Sequence, residues 1–117
     1  MKPRSTAVAL AVAVTFTALP CAAQVRLPRP SPKASVMQTI GLTDVTVTYS
    51  RPGVKGRVIW GGLVPYGEPW RTGANEATSF QFSDDVTVNG KSLKSGTYGF
   101  LTIPAIDKWT VIFNTKF

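Results

Sequence analysis

No histidine occurs in this chain, and its one cysteine, Cys21, lies in an N-terminal segment expected to be removed. Without histidine there is no Cys–His pair, no Ser–His–Asp triad and no imidazole-based metal site within the chain. Loss of Cys21 takes away both a disulfide and a thiolate nucleophile. Acids are also scarce, six Asp and Glu against thirteen Lys and Arg. The apolar run Ala7 to Leu19 has 13 residues, too few for a helix that crosses a bilayer, which needs roughly 20. Downstream of it no amphipathic helical window of useful length is found.

The first residues carry an address. Met1-Lys2-Pro3-Arg4 is basic, the apolar run follows, Pro20 breaks it, and Cys21-Ala22-Ala23 precedes Gln24. That order is a secretory signal, with cleavage predicted after Ala23 and a periplasmic or secreted location. Pro20 occupies the place where a lipoprotein would carry a small residue, which argues against lipidation of Cys21. The 94 residues left have 11 basic and 6 acidic side chains, so net charge falls from +7 to +5. Such a length forms one small domain that buries about 60–65% of its unfolded surface. Export, and the lack of an RNA-binding aromatic–basic motif, argue against nucleic acid as the counter-charge. Anionic glycans or lipid headgroups fit better, beside the plainer reading of a solubilising surface charge.

Past the leader, Gln24 to Lys33 holds three prolines and reads as an extended linker. From Ala34 the pattern is β. Ser35–Ile40 is a predicted strand and Gly41-Leu42-Thr43 a turn. Asp44–Tyr49 then alternates, with Val45, Val47 and Tyr49 opposite Thr46 and Thr48. Ser50 to Tyr66 has too many Gly and Pro for regular structure, beyond a short strand at Arg57–Trp60. Its Val54, Ile59, Trp60, Leu63, Val64 and Tyr66 predict a packed loop. Glu76–Phe82, Val86–Val88, Lys91–Leu93, Thr97–Ile103 and Trp109–Phe113 complete the strands. Asn89-Gly90 between two of them calls for a type I′ hairpin turn. The fold class is all-β, an antiparallel sandwich or partly open barrel with a long packed loop, spanning residues 34–117. With the sequence ending just after an apolar strand, the domain is expected to lack its last strands or to take one from a partner.

Three constellations carry candidate chemistry. Trp70-Arg71-Thr72-Gly73-Ala74-Asn75-Glu76 combines a planar guanidinium fork, an amide and a carboxylate around a glycine, suiting a carboxylate, phosphate or sulfate ligand. The competing reading is an Arg71–Glu76 pair across a turn capped by Asn75. Arg51, Lys55 and Arg57 sit in a Gly-rich stretch that could present an anion site, though the spacing matches no phosphate loop. Trp60, Tyr66 and Trp70 either stack on sugar rings or plug the end of the sandwich. The ligand-binding set is therefore Arg51, Arg57, Trp60, Trp70, Arg71, Asn75 and Glu76, and it implies no metal and no cofactor. Glu76 is the one acid in a polar cluster. An acid/base enzyme, a hydrolase or isomerase, would use it with Arg71 as the electrostatic stabiliser, and would need it desolvated with a raised pKa. A third reading is an interaction protein whose sheet edge accepts a partner strand.

Longer blocks carry a resemblance. Ser31-Pro32-Lys33-Ala34-Ser35-Val36, Ile40 to Val45, Tyr49 to Arg57, Ile59 to Gly67, Trp70 to Glu76, the Asn-Gly hairpin, Gly96-Thr97-Tyr98, Thr102-Ile103-Pro104 and Trp109 to Asn114 are similar to exported bacterial proteins of domain-of-unknown-function family 2911. The resemblance implies an exported β-rich domain that continues for several tens of residues, and it supplies no activity or catalytic residues. One departure is Gly99-Phe100-Leu101, where a bulkier apolar pair is expected after Tyr98.

Overall fold

A computed structural model describes residues 25–117; the signal segment read over residues 1–23 lies outside them. Seven strands follow in order: β1 (Lys33–Ile40), β2 (Thr43–Ser50), β3 (Thr78–Phe82), β4 (Val86–Val88), β5 (Lys91–Leu93), β6 (Gly96–Ile103) and β7 (Thr110–Asn114). They make a five-stranded sheet, β1-β2-β3-β6-β7, and a separate two-stranded β4-β5 hairpin. Every strand pairing is antiparallel.

Alternation decides the faces. Val47 lies opposite Phe80, and Phe80 opposite Tyr98. Phe100 faces Phe113, and Thr102 faces Val111. One face therefore collects Val45, Val47, Phe80, Phe82, Tyr98, Phe100 and Phe113. Their rings form a continuous cluster, with centroids 4.6 Å apart for Phe80–Phe100, 5.3 Å for Phe100–Phe113 and 6.0 Å for Phe82–Phe113. Such pairs add about 0.5–1.5 kcal/mol each beyond their buried area. Phe82 and Tyr98 are buried at its centre. Val88 and Leu93 of the hairpin share a cavity of about 430 Å³ with Trp109, Val111 and Phe113, beside the β7 margin of that face.

The turns follow their residues. Asn89 and Gly90 have φ of 48° and 77°, the two positive angles of the type I′ turn the sequence demands. Gly41, at φ 65°, makes the two-residue β1–β2 turn, with Ile40 opposite Thr43. A third tight turn is not signalled by Asn. Lys55 and Gly56 have φ of 49° and 69°, and Arg57 N donates to Val54 O at 3.1 Å.

The strand expected at Arg57–Trp60, just past that turn, does not form. In its stead an isolated bridge joins Trp60 and Val64, because Gly61-Gly62 folds the chain back at once. The packed-loop expectation holds only for the inward residues. Val64 is buried and Ile59 half-buried, whereas Val54, Trp60, Leu63 and Tyr66 remain exposed. The Pro-rich segment, expected as a plain linker, is tied to the domain. Arg51 N donates to Pro32 O at 2.8 Å.

Candidate functional site

Trp70 begins the site. Its N–H donates to Thr102 O at 2.7 Å, and Thr102 N–H returns to Trp70 O at 2.9 Å. Thr78, at the head of β3, lies opposite Phe100, two residues along the same strand β6. The chain thus leaves β6 at Trp70 and rejoins it at Thr78, and residues 71–77 project as a closed loop.

Threonines close that loop. Thr78 N–H donates to Arg71 O at 3.1 Å, Thr78 Oγ1 donates to Thr72 O at 2.7 Å, and the hydroxyls of Thr72 and Thr102 lie 3.0 Å apart. Thr78 and Thr102 are buried, so these hydrogen bonds satisfy groups that would otherwise be costly to bury. Thr72 and Asn75 take left-handed φ of 56° and 61°. Gly73 passes so near the end of β2 that a Cβ there would stand 3.3 Å from both Ser50 O and Thr78 Oγ1. The role of Thr72, Thr78 and Thr102 is missing from the sequence reading, because threonine on a strand is ordinary and only the fold brings the three together.

Trp60 arrives from the preceding loop. Its ring stands edge-on to Trp70 at 5.7 Å and to Trp109 at 5.0 Å. The sequence pattern puts Trp109 at the start of a strand and gives no sign of its contact with Trp60. Trp60 nevertheless keeps 46% of its surface exposed, so one ring both packs and faces solvent. Between the two loops opens a cavity of about 440 Å³ lined by Arg57, Trp60, Trp70, Arg71 and Gly73, with Ser31 of the N-terminal arm on its wall. Small-ligand sites fall in the same range, about 300–1,000 Å³.

Four of the seven nominated residues therefore meet at one cavity. Arg57 spends part of its fork on its own turn, Nη2 donating to Gly53 O at 2.6 Å and Nε to Val54 O at 3.0 Å. Among the described residues the ion pairs are Arg29–Glu76 and Lys94–Asp85, which leaves Arg71 and Arg51 without an anionic partner. Arg51 is exposed but does not line the cavity.

Asn75 and Glu76 do something else. Arg29 Nη1 donates to both carboxylate oxygens of Glu76, at 2.8 and 3.1 Å, and Asn75 Nδ2 donates to Ser31 O at 3.2 Å. Together they hold the N-terminal arm. The hydrogen bond from Arg29 keeps the Glu76 carboxyl below its ordinary value of 4.5, assisted by a hydrogen bond to its own backbone and by the charges of Arg29 and Lys33. A general acid needs the reverse, desolvation and a raised pKa. Nor does Glu76 pair with Arg71. It borders a separate cavity of about 450 Å³ with Lys33, Tyr49, Ser50 and Phe117.

Fold and site define an all-β module that presents a tryptophan–arginine cavity at one end of an antiparallel sheet. Residues 31–117 match the family described as protein of unknown function (DUF2911), and the chain belongs to that family. No curated protein and no solved structure gives a significant match.

Proposed function

We propose that this is an exported binding module whose Trp60–Trp70–Arg71 cavity holds a small anionic or polyhydroxylated ligand. The observation that carries the reading is Arg71. It lines a cavity of about 440 Å³ beside two tryptophans and has no anionic partner among the described residues. A planar fork so placed suits a carboxylate or sulfate bidentately, while the Trp60 and Trp70 edges offer apolar surface to a sugar ring. Export rests on the basic, apolar and small-residue order of residues 1–23. The hairpin beside β7 supports a second layer over the aromatic face, as in a sandwich.

Titration of the protein with inorganic sulfate, glucuronate and sulfated disaccharides, followed by tryptophan fluorescence, tests this. A saturable change that Arg71→Ala weakens by tenfold or more, on the order of 1.5–3 kcal/mol for a lost charged hydrogen bond, is the expected result. Affinities unchanged in Arg71→Ala and Trp70→Ala would remove the site.

A further inference from the structure

The segment from Asp44 to Glu68 contains no acid between its ends, yet it carries Arg51, Lys55 and Arg57. It also leaves apolar side chains in the open. Val58 is 74% exposed, Val54 58% and Leu63 55%, and Tyr66 is exposed as well. These are not frayed residues. The Val54–Arg57 turn is closed by its own backbone bond and by two bonds from the Arg57 guanidinium. The next turn is fastened by Leu63 N to Val58 O at 3.0 Å, Val64 N to Ile59 O at 2.8 Å and Gly61 N to Val64 O at 2.9 Å. Ile59 and Val64 anchor the loop inward, so Val58 is held outward, while Val54 and Leu63 keep more than half of their surface exposed along the cavity wall.

The charge of the molecule gathers at the same end. The arm, the loops through Ala77 and the β6–β7 turn contain Arg26, Arg29, Lys33, Arg51, Lys55, Arg57, Arg71 and Lys108, eight cations against Glu68, Glu76 and Asp107. The opposite end, with the β1–β2 turn and the connections into and out of the β4–β5 hairpin, has Lys94 against Asp44, Asp84 and Asp85, while Lys91 lies at the hairpin tip beside Trp109. Lys91 and Lys116 offset the excess acid of that end, so the net +5 of residues 25–117 equals the charge of the loop end, where Val54, Val58 and Leu63 are exposed.

We propose that this loop end docks on an anionic lipid bilayer, the cations meeting headgroup phosphates while Val58 and its neighbours enter the headgroup–acyl boundary. Exposed aliphatics ringed by Lys and Arg, with Trp and Tyr beside them, match the two chemistries of a membrane interface. A protein partner fits less well, since interface cores are depleted of charge. Arg51, Lys55 and Val58 do not line the Trp60–Trp70 cavity, whereas Val54, Arg57 and Leu63 do, so the docking variants are taken from residues outside the ligand site.

Co-sedimentation of the mature full-length chain with vesicles of phosphatidylcholine, alone or mixed with phosphatidylglycerol, tests the proposal. Binding should require phosphatidylglycerol. Arg51→Glu and Lys55→Glu should each lower partitioning by on the order of fivefold or more, and Val58→Asp should lower it further with the circular dichroism spectrum unchanged. Val58→Ser gives the same test should the aspartate disturb folding. Absence of binding to either vesicle overturns the proposal. So does equal capture by soluble dextran sulfate with no effect of Val58→Asp or Val58→Ser, which would make the partner a polyanionic chain. Neither result bears on the cavity, which Arg71→Ala reads separately.

Discussion

Glu76 illustrates how neighbours decide what a residue does. Its place in a polar cluster invites an acid/base role, but the arm delivers Arg29 to it and the carboxylate becomes half of an exposed ion pair. Its folded pKa is depressed below 4.5. Its contribution is therefore present above the unfolded value and lost as pH falls through the folded one. Acidification below the ordinary carboxylate range should free residues 25–32, seen as faster amide exchange there while the sheet stays protected. Glu76→Gln should do the same at neutral pH, and exchange that Glu76→Gln leaves unchanged would mean the pair holds nothing. Gly62 is a second such position. A Cβ there would meet Val58 O at 2.6 Å, a backbone atom that cannot step aside. Gly62→Ala should cost about 1–3 kcal/mol in urea unfolding, with loss confined to the 58–64 turn if the loop opens separately.

The strands show what sequence makes legible and what it does not. Period-two alternation located β2 and β3 within one or two residues, because a half-buried strand imposes that period on its own sequence, and the Lys94-Ser95-Gly96 turn and Pro104 bounded β6. Asn89-Gly90 fixed the β4–β5 hairpin for an equally local reason. Lys55-Gly56 makes the same kind of turn without announcing it, since Lys in the left-handed region is uncommon and only the Arg57 bonds show why it is held. Gly90→Ala should cost about 1–2 kcal/mol by forcing a Cβ into a left-handed position, measured as a lower urea midpoint; an unchanged midpoint would mean the hairpin adds nothing to stability. The candidate site was half legible. Trp70 and Arg71 stood out by composition, but their convergence with Trp60, and the diversion of Asn75 and Glu76 to the arm, depend on contacts more than forty residues apart in sequence for Glu76 and Asn75. No local pattern encodes those.

At the scale of the molecule, the aromatic face and the basic loop end divide the labour. Phe80, Phe82, Tyr98, Phe100 and Phe113 hold the sheet, and the loops at its end carry exposed indole and cations, such as Arg51 and Arg71, that have no acidic partner among the described residues. Any anionic ligand or surface should then bind more weakly as ionic strength rises, because exposed charges are screened within about 8–10 Å at physiological salt. Insensitivity to salt would show that the cations are bystanders. The most direct measurement is a two-dimensional NMR titration that follows the indole N–H signals of Trp60, Trp70 and Trp109 with sulfated and carboxylated saccharides. A saturable shift of Trp60 and Trp70, lost in Arg71→Ala, is the predicted result. Signals that stay fixed throughout, or that move identically in Arg71→Ala, would contradict a ligand in the tryptophan–arginine cavity.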